Sequence, residues 1–409
     1  MKSKVFYGYR IVAASFIIQA VCIGPLFTYG VFFKQFQVEL GWSRAIISGA
    51  SSLAFFIMGA AGIIAGRLND RIGPKKIMVV SGTSLGLGYL LMAYMQAPWQ
   101  LYVLYGIMVG IGFSTHDVIT LSTVARWFIK RRGMMSGIVK VGTGAGQLIV
   151  PLIAAALIAA YGWRHAYSII GATALVILVA AALVLHRDPQ DKGQLPDGNS
   201  ADIDRFTSAS TGRSITFQKA VRKGSFWILC VAEFTIFFCL LTMIVHIVPH
   251  ATDLGLPPGT AAAVLATIGG VSMVGRISMG TANDKIGGKR SLIFCFIILL
   301  CGLIWLQIAE NAWMLFLFAA VYGFSHGGFF TVMSPTVAEL FGTGSHGLLF
   351  GLVLFSGTIG GAVGPVLAGR MFDVTGSYQG VFWILTGLAL TGLILILMLG
   401  PLRKADSRG

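Results

Sequence analysis

Residues 66–76 read GRLNDRIGPKK, five charged side chains in eleven positions of a chain that is otherwise mostly apolar. The stretch returns as GTANDKIGGKR at 280–290, with Gly, Asn, Asp, a base, Ile, Gly and two late basic residues in the same places. The offset is 214 residues, and it holds well beyond the loop. It carries Gly66, Asp70 and Gly73 onto Gly280, Asp284 and Gly287, and Gly133, Gly137, Pro151 and Gly162 onto Gly347, Gly351, Pro365 and Gly376. A register shared over almost a hundred residues marks the two halves of the chain as repeats. The repeated element is a charged hinge loop whose glycines allow a tight turn and close helix approach. Its aspartate is suited to accept hydrogen bonds from the N-terminus of a neighbouring helix.

The rest of the chain explains why a charged turn stands out. Of 409 residues, 56% are hydrophobic and 11% charged, against about 25% charged in soluble domains. Twelve apolar runs lie near 9–33, 46–66, 77–95, 100–125, 134–160, 164–186, 224–248, 258–282, 291–308, 312–337, 346–370 and 380–402. Each is long enough for a hydrocarbon core of about 30 Å. The expected fold is an all-α membrane protein of twelve transmembrane helices in two six-helix bundles. The first run reads as a span and not as a cleavable signal peptide, since no small-residue cleavage site follows it.

The formal charge of +15 is explained by orientation, with no need of nucleic acid as a partner. With the N-terminus inside, 24 of the 30 Lys and Arg fall on cytoplasmic segments, four on the other face (Lys34, Arg44, Arg164, Arg370) and two within helices (Lys140, Arg276). That is the positive-inside distribution, and it puts both termini in the cytoplasm of a plasma (inner) membrane protein. Residues 187–223 are polar, rich in Pro, Gly and Ser, and read as a cytoplasmic linker between a bundle at 1–186 and a bundle at 224–409. Within it, SITFQKAVRK has the pattern of an amphipathic surface helix. Two six-span halves in parallel repeat are the layout of carriers that rock two bundles about a midplane site.

GRLNDRIGPKK resembles the signature loop of the major facilitator superfamily, and the likeness extends over essentially the whole chain. RWFIKRRGMMSGIVKVGTGAG (126–146), GRISMGTAND (275–284) and VFFKQF (31–36) resemble the helix-five, helix-eight and helix-one motifs of its monocarboxylate transporter branch, close to the oxalate/formate antiporters. In that branch a buried helix-eight arginine binds the substrate carboxylate, and the matching residue is Arg276. Two positions depart from the animal members. Phe27 stands where they place a helix-one lysine, and Ser272 where they place an aspartate four residues before the arginine. Their proton-coupling pair is therefore absent, and its mechanism does not transfer as it stands.

Ionisable side chains inside spans are costly and point to function. At 1.5 Å per residue, Asp117 lies ~13 Å above Arg126 and Lys140 ~12 Å above Arg132. By the same rise Arg276 lies ~12 Å above Asp284 and Glu233 ~15 Å above Lys223. All four thus sit near one depth. The structural alternative pairs them as bundle-holding ion pairs, Asp117 with Lys140 and Glu233 with Arg276. The functional reading gives Arg276 the carboxylate, because its guanidinium fork donates two parallel hydrogen bonds. Lys140 assists, and Asp117 is the proton site, with Glu233 and His116 as further proton-coupling candidates. His326, in GFSHGG, occupies the place in helix ten comparable to His116 of GFSTHD. The helices that line the cavity in this superfamily add Tyr29, Phe329, Phe330 and Phe355 as candidate substrate contacts. Asp70, Arg71, Asp284 and Arg126 are the inner gating candidates. His250, one residue after Pro249, is the outer one. Trp99, Trp163, Trp227 and Trp313 read as interfacial anchors.

The expected activity is proton-coupled symport of a small monocarboxylate by alternating access, by a carrier that works as a monomer. Its partners are the carboxylate, protons and the lipid bilayer. An anion antiporter of the oxalate/formate type is the alternative. The five cysteines lie in apolar runs without metal spacing. No zinc motif, catalytic aspartate pair or nucleophile motif is present, so neither an enzyme nor a bound cofactor is expected.

Overall fold

The computed structural model describes residues 6–198 and 215–400 of the chain. The helices are α1 (Gly8–Leu40), α2 (Arg44–Ile72) and α3 (Pro74–Met92), then α4, the run Pro98–Trp127. The 53-residue run Arg132–Val184 breaks at Gly162, whose φ of 78° is not helical, into α5 before and α6 after that residue. The second half holds α7 (Gly224–Asp253), α8 (Pro258–Ile286), α9 (Gly288–Leu306), α10 (Ala312–Phe341), α11 (His346–Thr375) and α12 (Gln379–Met398). Ten helical runs are long and apolar enough to cross a membrane. Dividing one of them at Gly162 and adding α3 accounts for twelve spans among the described residues.

Several helices outrun the apolar stretches that announce them. α1 continues to Leu40 and α7 to Asp253, because a helix keeps its backbone bonds in water, whereas hydropathy marks only the part that sits in hydrocarbon. α4 is irregular: residues Tyr102–Val109 form wider π-type turns, and the helix restarts at His116. Such turns interrupt the regular ladder and re-aim the side chains that follow. Here those are His116 and Asp117. The turns between α2 and α3 and between α8 and α9 are single residues, Gly73 and Gly287, each with φ 84°. A side chain there would be strained, which is why the repeated loop keeps both glycines.

The chain divides into two compact units. The first takes in Met1–Lys130, Ile138–Ser214 and Thr343–Gly351, the second Arg131–Gly137, Ile215–Gly342 and Leu352–Gly409. Each six-span half thus gives up the first turn of one helix, α5 or α11, to the unit of the other. Within the second unit α8 and α10 lie in close contact. A Cβ on Gly327 would overlap the Ser272 carbonyl oxygen and come within 2.9 Å of the Arg276 nitrogen.

Part of the linker is docked to the first unit. Asp188 lies 3.4 Å from Arg126, Gln194 accepts from the Tyr7 N–H at 2.9 Å, and Asp197 accepts from Ile129 and Lys130 N–H, both at 2.9 Å. Residues 199–214 of the expected linker lie outside the described residues, as do the ends at 1–5 and 401–409. Of the expected surface helix, Phe217–Val221 is helical.

Of the four expected interfacial tryptophans, Trp99, Trp227 and Trp313 are exposed. Trp163 is not an interfacial anchor. It is buried, its indole N–H donates to Glu39, its ring packs against Phe36 and Tyr167, and the Arg164 guanidinium lies over it. The tight turn at Gly162 folds it inward, a geometry that composition does not reveal.

Candidate functional site

In the first unit, three helices meet around Asp117. Lys140 of α5 reaches it, Nζ to Oδ1 at 2.7 Å, and Gln19 of α1 donates from Nε2 to the same oxygen at 2.8 Å. His116, next to it on α4, sets Nε2 3.3 Å from the other oxygen, Oδ2. The Gln19 amide nitrogen also approaches the His116 carbonyl at 3.1 Å and Thr120 Oγ1 at 2.9 Å. Its oxygen accepts from Thr143 of α5 at 2.7 Å. All but Thr143 of these residues are buried, so each polar atom needs such a partner. Asp117 and Lys140, expected at one depth, form an ion pair. Gln19, Thr120 and Thr143 are site residues that sequence reasoning missed. Gln19 left one signal, an amide in the middle of an apolar run.

Arg276 lies in the second unit on α8 and is 2% exposed. Its backbone is held on two sides. A Cβ on Gly137, in the first turn of α5, would stand 2.5 Å from the Arg276 carbonyl oxygen, and Gly327 of α10 closes on its nitrogen. The position of the guanidinium stem is thus set by close helix packing. Glu233 is 3% exposed on α7, and its Cγ would stand 2.9 Å from a Cβ on Gly357 of α11.

The aromatic candidates fall into two groups. Phe330, half-buried, lies edge-on to Phe237 of α7 at 5.1 Å and to His326 at 5.0 Å, and His326 stacks on Tyr322 at 6.1 Å. Phe355 of α11 is half-buried as well. Phe329 and Tyr29 have their faces taken inside the bundles. Phe329 is 1% exposed and packs on Phe296 of α9 at 4.7 Å. Tyr29 stacks on Tyr105 at 4.1 Å and donates its hydroxyl to the Ile47 carbonyl at 2.7 Å.

The repeated aspartates hold helix N-termini. Asp70 accepts from Gly347 and Leu348 N–H of α11 at 3.1 and 3.0 Å. Asp284 accepts from Gly133 and Met134 N–H of α5 at 2.6 and 2.9 Å. Residues 133 and 134 become 347 and 348 on adding 214, so the contact itself is repeated. A carboxylate on the free N–H groups of a first helical turn is the favoured arrangement for an anion at that end. Arg126 adds a contact to Asp70 at 3.1 Å, while the Arg71 side chain is exposed. At the far end of α7, His250 sits edge-on to Tyr378 and Phe382. Beside it His246 bonds Tyr378 Oη at 3.1 Å and the Pro365 carbonyl at 2.9 Å.

A family profile described as the Major Facilitator Superfamily matches residues 15–306 and 250–409. The chain belongs to that superfamily. It is a multi-pass membrane transporter of small molecules and not an enzyme. Among similar proteins, Monocarboxylate transporter 13 of Rattus norvegicus is 26% identical, the match covering 94% of this chain and 87% of the relative. The uncharacterized MFS-type transporter YhjX of Escherichia coli is 26% identical, covering 84% and 83%. In fold, the proton:xylose symporter XylE matches with a TM-score of 0.80 at 14% identity, over 97% of this chain and 96% of that one. The superfamily expectation drawn from the repeated loop is thereby met, as is the likeness to monocarboxylate transporters.

Proposed function

We propose that this transporter is a proton-coupled symporter of a small monocarboxylate, set in the plasma (inner) membrane with both termini cytoplasmic. Arg276 binds the carboxylate and Asp117 carries the proton. The observation that carries the reading is the buried 2.7 Å contact between Lys140 and Asp117. While Asp117 is charged, Lys140 is neutralised and has little to offer an anion. Once Asp117 is protonated, the lysine is a buried cation whose charge an anion neutralises. Substrate therefore favours the protonated carrier, and the coupling is a difference of affinity between two states. The names of the monocarboxylate transporters among its relatives support the substrate class.

Purified carrier in liposomes tests this. An inward proton gradient at zero membrane potential is expected to drive lactate above its equilibrium level, with one proton per anion. Lactate–oxalate counterflow with no response to the proton gradient would replace the symport reading by exchange.

The paired aspartates act in this reading as inner-face latches. Asp70→Asn or Asp284→Asn keeps one acceptor but loses the charge facing two N–H groups, a cost of about 1–2 kcal/mol. Each is expected to slow turnover and to raise the reactivity of a cysteine placed at the inner face roughly tenfold. Affinity for substrate in a locked state should change little. Unaltered reactivity in both mutants would remove the latch role.

A further inference from the structure

We infer that the transported proton is shared by His116 and Asp117, on the line between His116 Nε2 and Asp117 Oδ2, and that Gln19 and Lys140 direct it there. The inference rests on the proton-coupled reading above and names the atoms that hold the proton.

The two oxygens of Asp117 differ. Oδ1 accepts from Lys140 Nζ at 2.7 Å and from Gln19 Nε2 at 2.8 Å, whereas Oδ2 faces His116 Nε2 at 3.3 Å. An oxygen already receiving a cationic and an amide donor is the poorer base, so a proton goes to Oδ2. The orientation of the Gln19 amide follows from its surroundings. Its nitrogen end meets Asp117 Oδ1, the His116 carbonyl and Thr120 Oγ1. Thr120 spends its own hydrogen on the His116 carbonyl. All three neighbours are acceptors, and only the NH2 end suits them.

The histidine tautomer is fixed in the same way. His116 Nδ1 lies 2.5 Å from the Phe113 carbonyl oxygen, which can only accept, so Nδ1 carries the hydrogen. A neutral His116 therefore presents a lone pair at Nε2, directly opposite the lone pairs of Oδ2. One proton placed between them satisfies both lone pairs. The cluster is neutral without that proton, with Lys140 balancing Asp117, and carries one positive charge with it.

The surroundings suit the assignment. From α5 the pair faces Lys140 and Thr143, and from α1 it faces Gln19, with the Cys22 thiol in electrostatic range of Asp117. α3 offers Ser81 to Thr115, and α2 offers Gly62 to Ser114, neither of them titratable. The side chains of His116 and Asp117 keep 10% and 12% exposure against 3% for Lys140. The pair is thus less enclosed than the lysine. Gln19 acts through Asp117 and is a positioning residue.

The test is the pH profile of gradient-driven lactate uptake in proteoliposomes, normalised to folded carrier by thermal unfolding. His116→Gln places an amide beside Oδ2 that can donate to it and favour its charged form. The profile is expected to move toward acid by about one pH unit. Gln19→Leu removes a donor from Oδ1, and its profile should move the other way, toward alkaline, by about one unit. Opposite shifts establish the shared proton, since a packing role moves amplitude and not midpoint. A coupled wild type whose midpoint stays put in both variants overturns the inference and leaves proton coupling standing. If His116→Gln does not fold, the lack of an alkaline shift in Gln19→Leu overturns it alone. A wild type without gradient-driven uptake removes the coupling reading, and the shared proton with it.

Discussion

Arg276→Lys is expected to abolish carboxylate binding, lowering affinity for every carboxylate by about 100-fold or more, although the charge is kept. The guanidinium donates a planar pair of hydrogen bonds that an ammonium cannot reproduce, and hydrogen bonds to charged groups are worth about 1.5–3 kcal/mol each. The site is rigid as well. The Arg276 backbone is fixed between Gly137 and Gly327, so a shorter, differently hydrated head cannot be compensated by a shift of α8. Thermal stabilisation by lactate and other monocarboxylates measures the outcome. The mutant should unfold near the wild-type temperature without ligand and fail to respond to any of them. Stabilisation equal to wild type would take the carboxylate away from Arg276.

Asp117→Asn is expected to bind anion at all pH values and to exchange it across the membrane, while losing accumulation against a pH gradient. The substitution imitates the protonated state in shape and charge. The amide oxygen remains an acceptor for Lys140 and Gln19, and the amide NH2 can meet the His116 Nε2 lone pair now facing Asp117 at 3.3 Å. Lys140 is then a buried cation that an anion can neutralise at any pH. A purely structural Asp117 makes the opposite forecast. If Asp117 serves only to hold α4 and α5 together, the mutant yields less folded carrier, and the uptake that remains still follows the gradient. Gradient-driven accumulation per folded carrier in Asp117→Asn decides between them. If it equals wild type, proton coupling has to be sought at Glu233.

Much of this fold was legible in the residues themselves. The loop at 66–76 and its copy at 280–290 predicted two equivalent turns, and Gly73 and Gly287 share a φ of 84°. The loop aspartates were expected to meet helix N-termini, and both do so in repeated register. These features are readable because a tight turn and a first helical turn are local structures with fixed residue requirements. The meeting of Asp117 with Lys140 was also within reach, since charges buried at one depth seek each other. Gln19 was not. A single amide in an apolar run has no spacing to interpret, and its partners lie 97 to 124 residues away in the chain. The docking of Asp188 and Asp197 was hidden for a related reason. Their polar stretch has the composition of a free linker, and its hold on Arg126 and on the 129–130 backbone depends on where α4 ends.

The sequence by itself determined that this chain crosses a membrane about twelve times, that it is built from two copies of one six-span unit, and which few charges lie at mid-span. Those properties follow from transfer free energy and periodicity, which accumulate along the chain residue by residue. Only the tertiary structure decided that Oδ1 of Asp117 is shared by Lys140 and Gln19 while Oδ2 is left to His116. It also decided that Phe329 and Tyr29 pack inward and that Trp163 turns away from the interface. Such choices depend on helix rotation, on the wide turns of α4, and on sub-ångström approach between helices distant in the chain. Hydropathy leaves rotation free, and contacts between glycine-lined surfaces fix it.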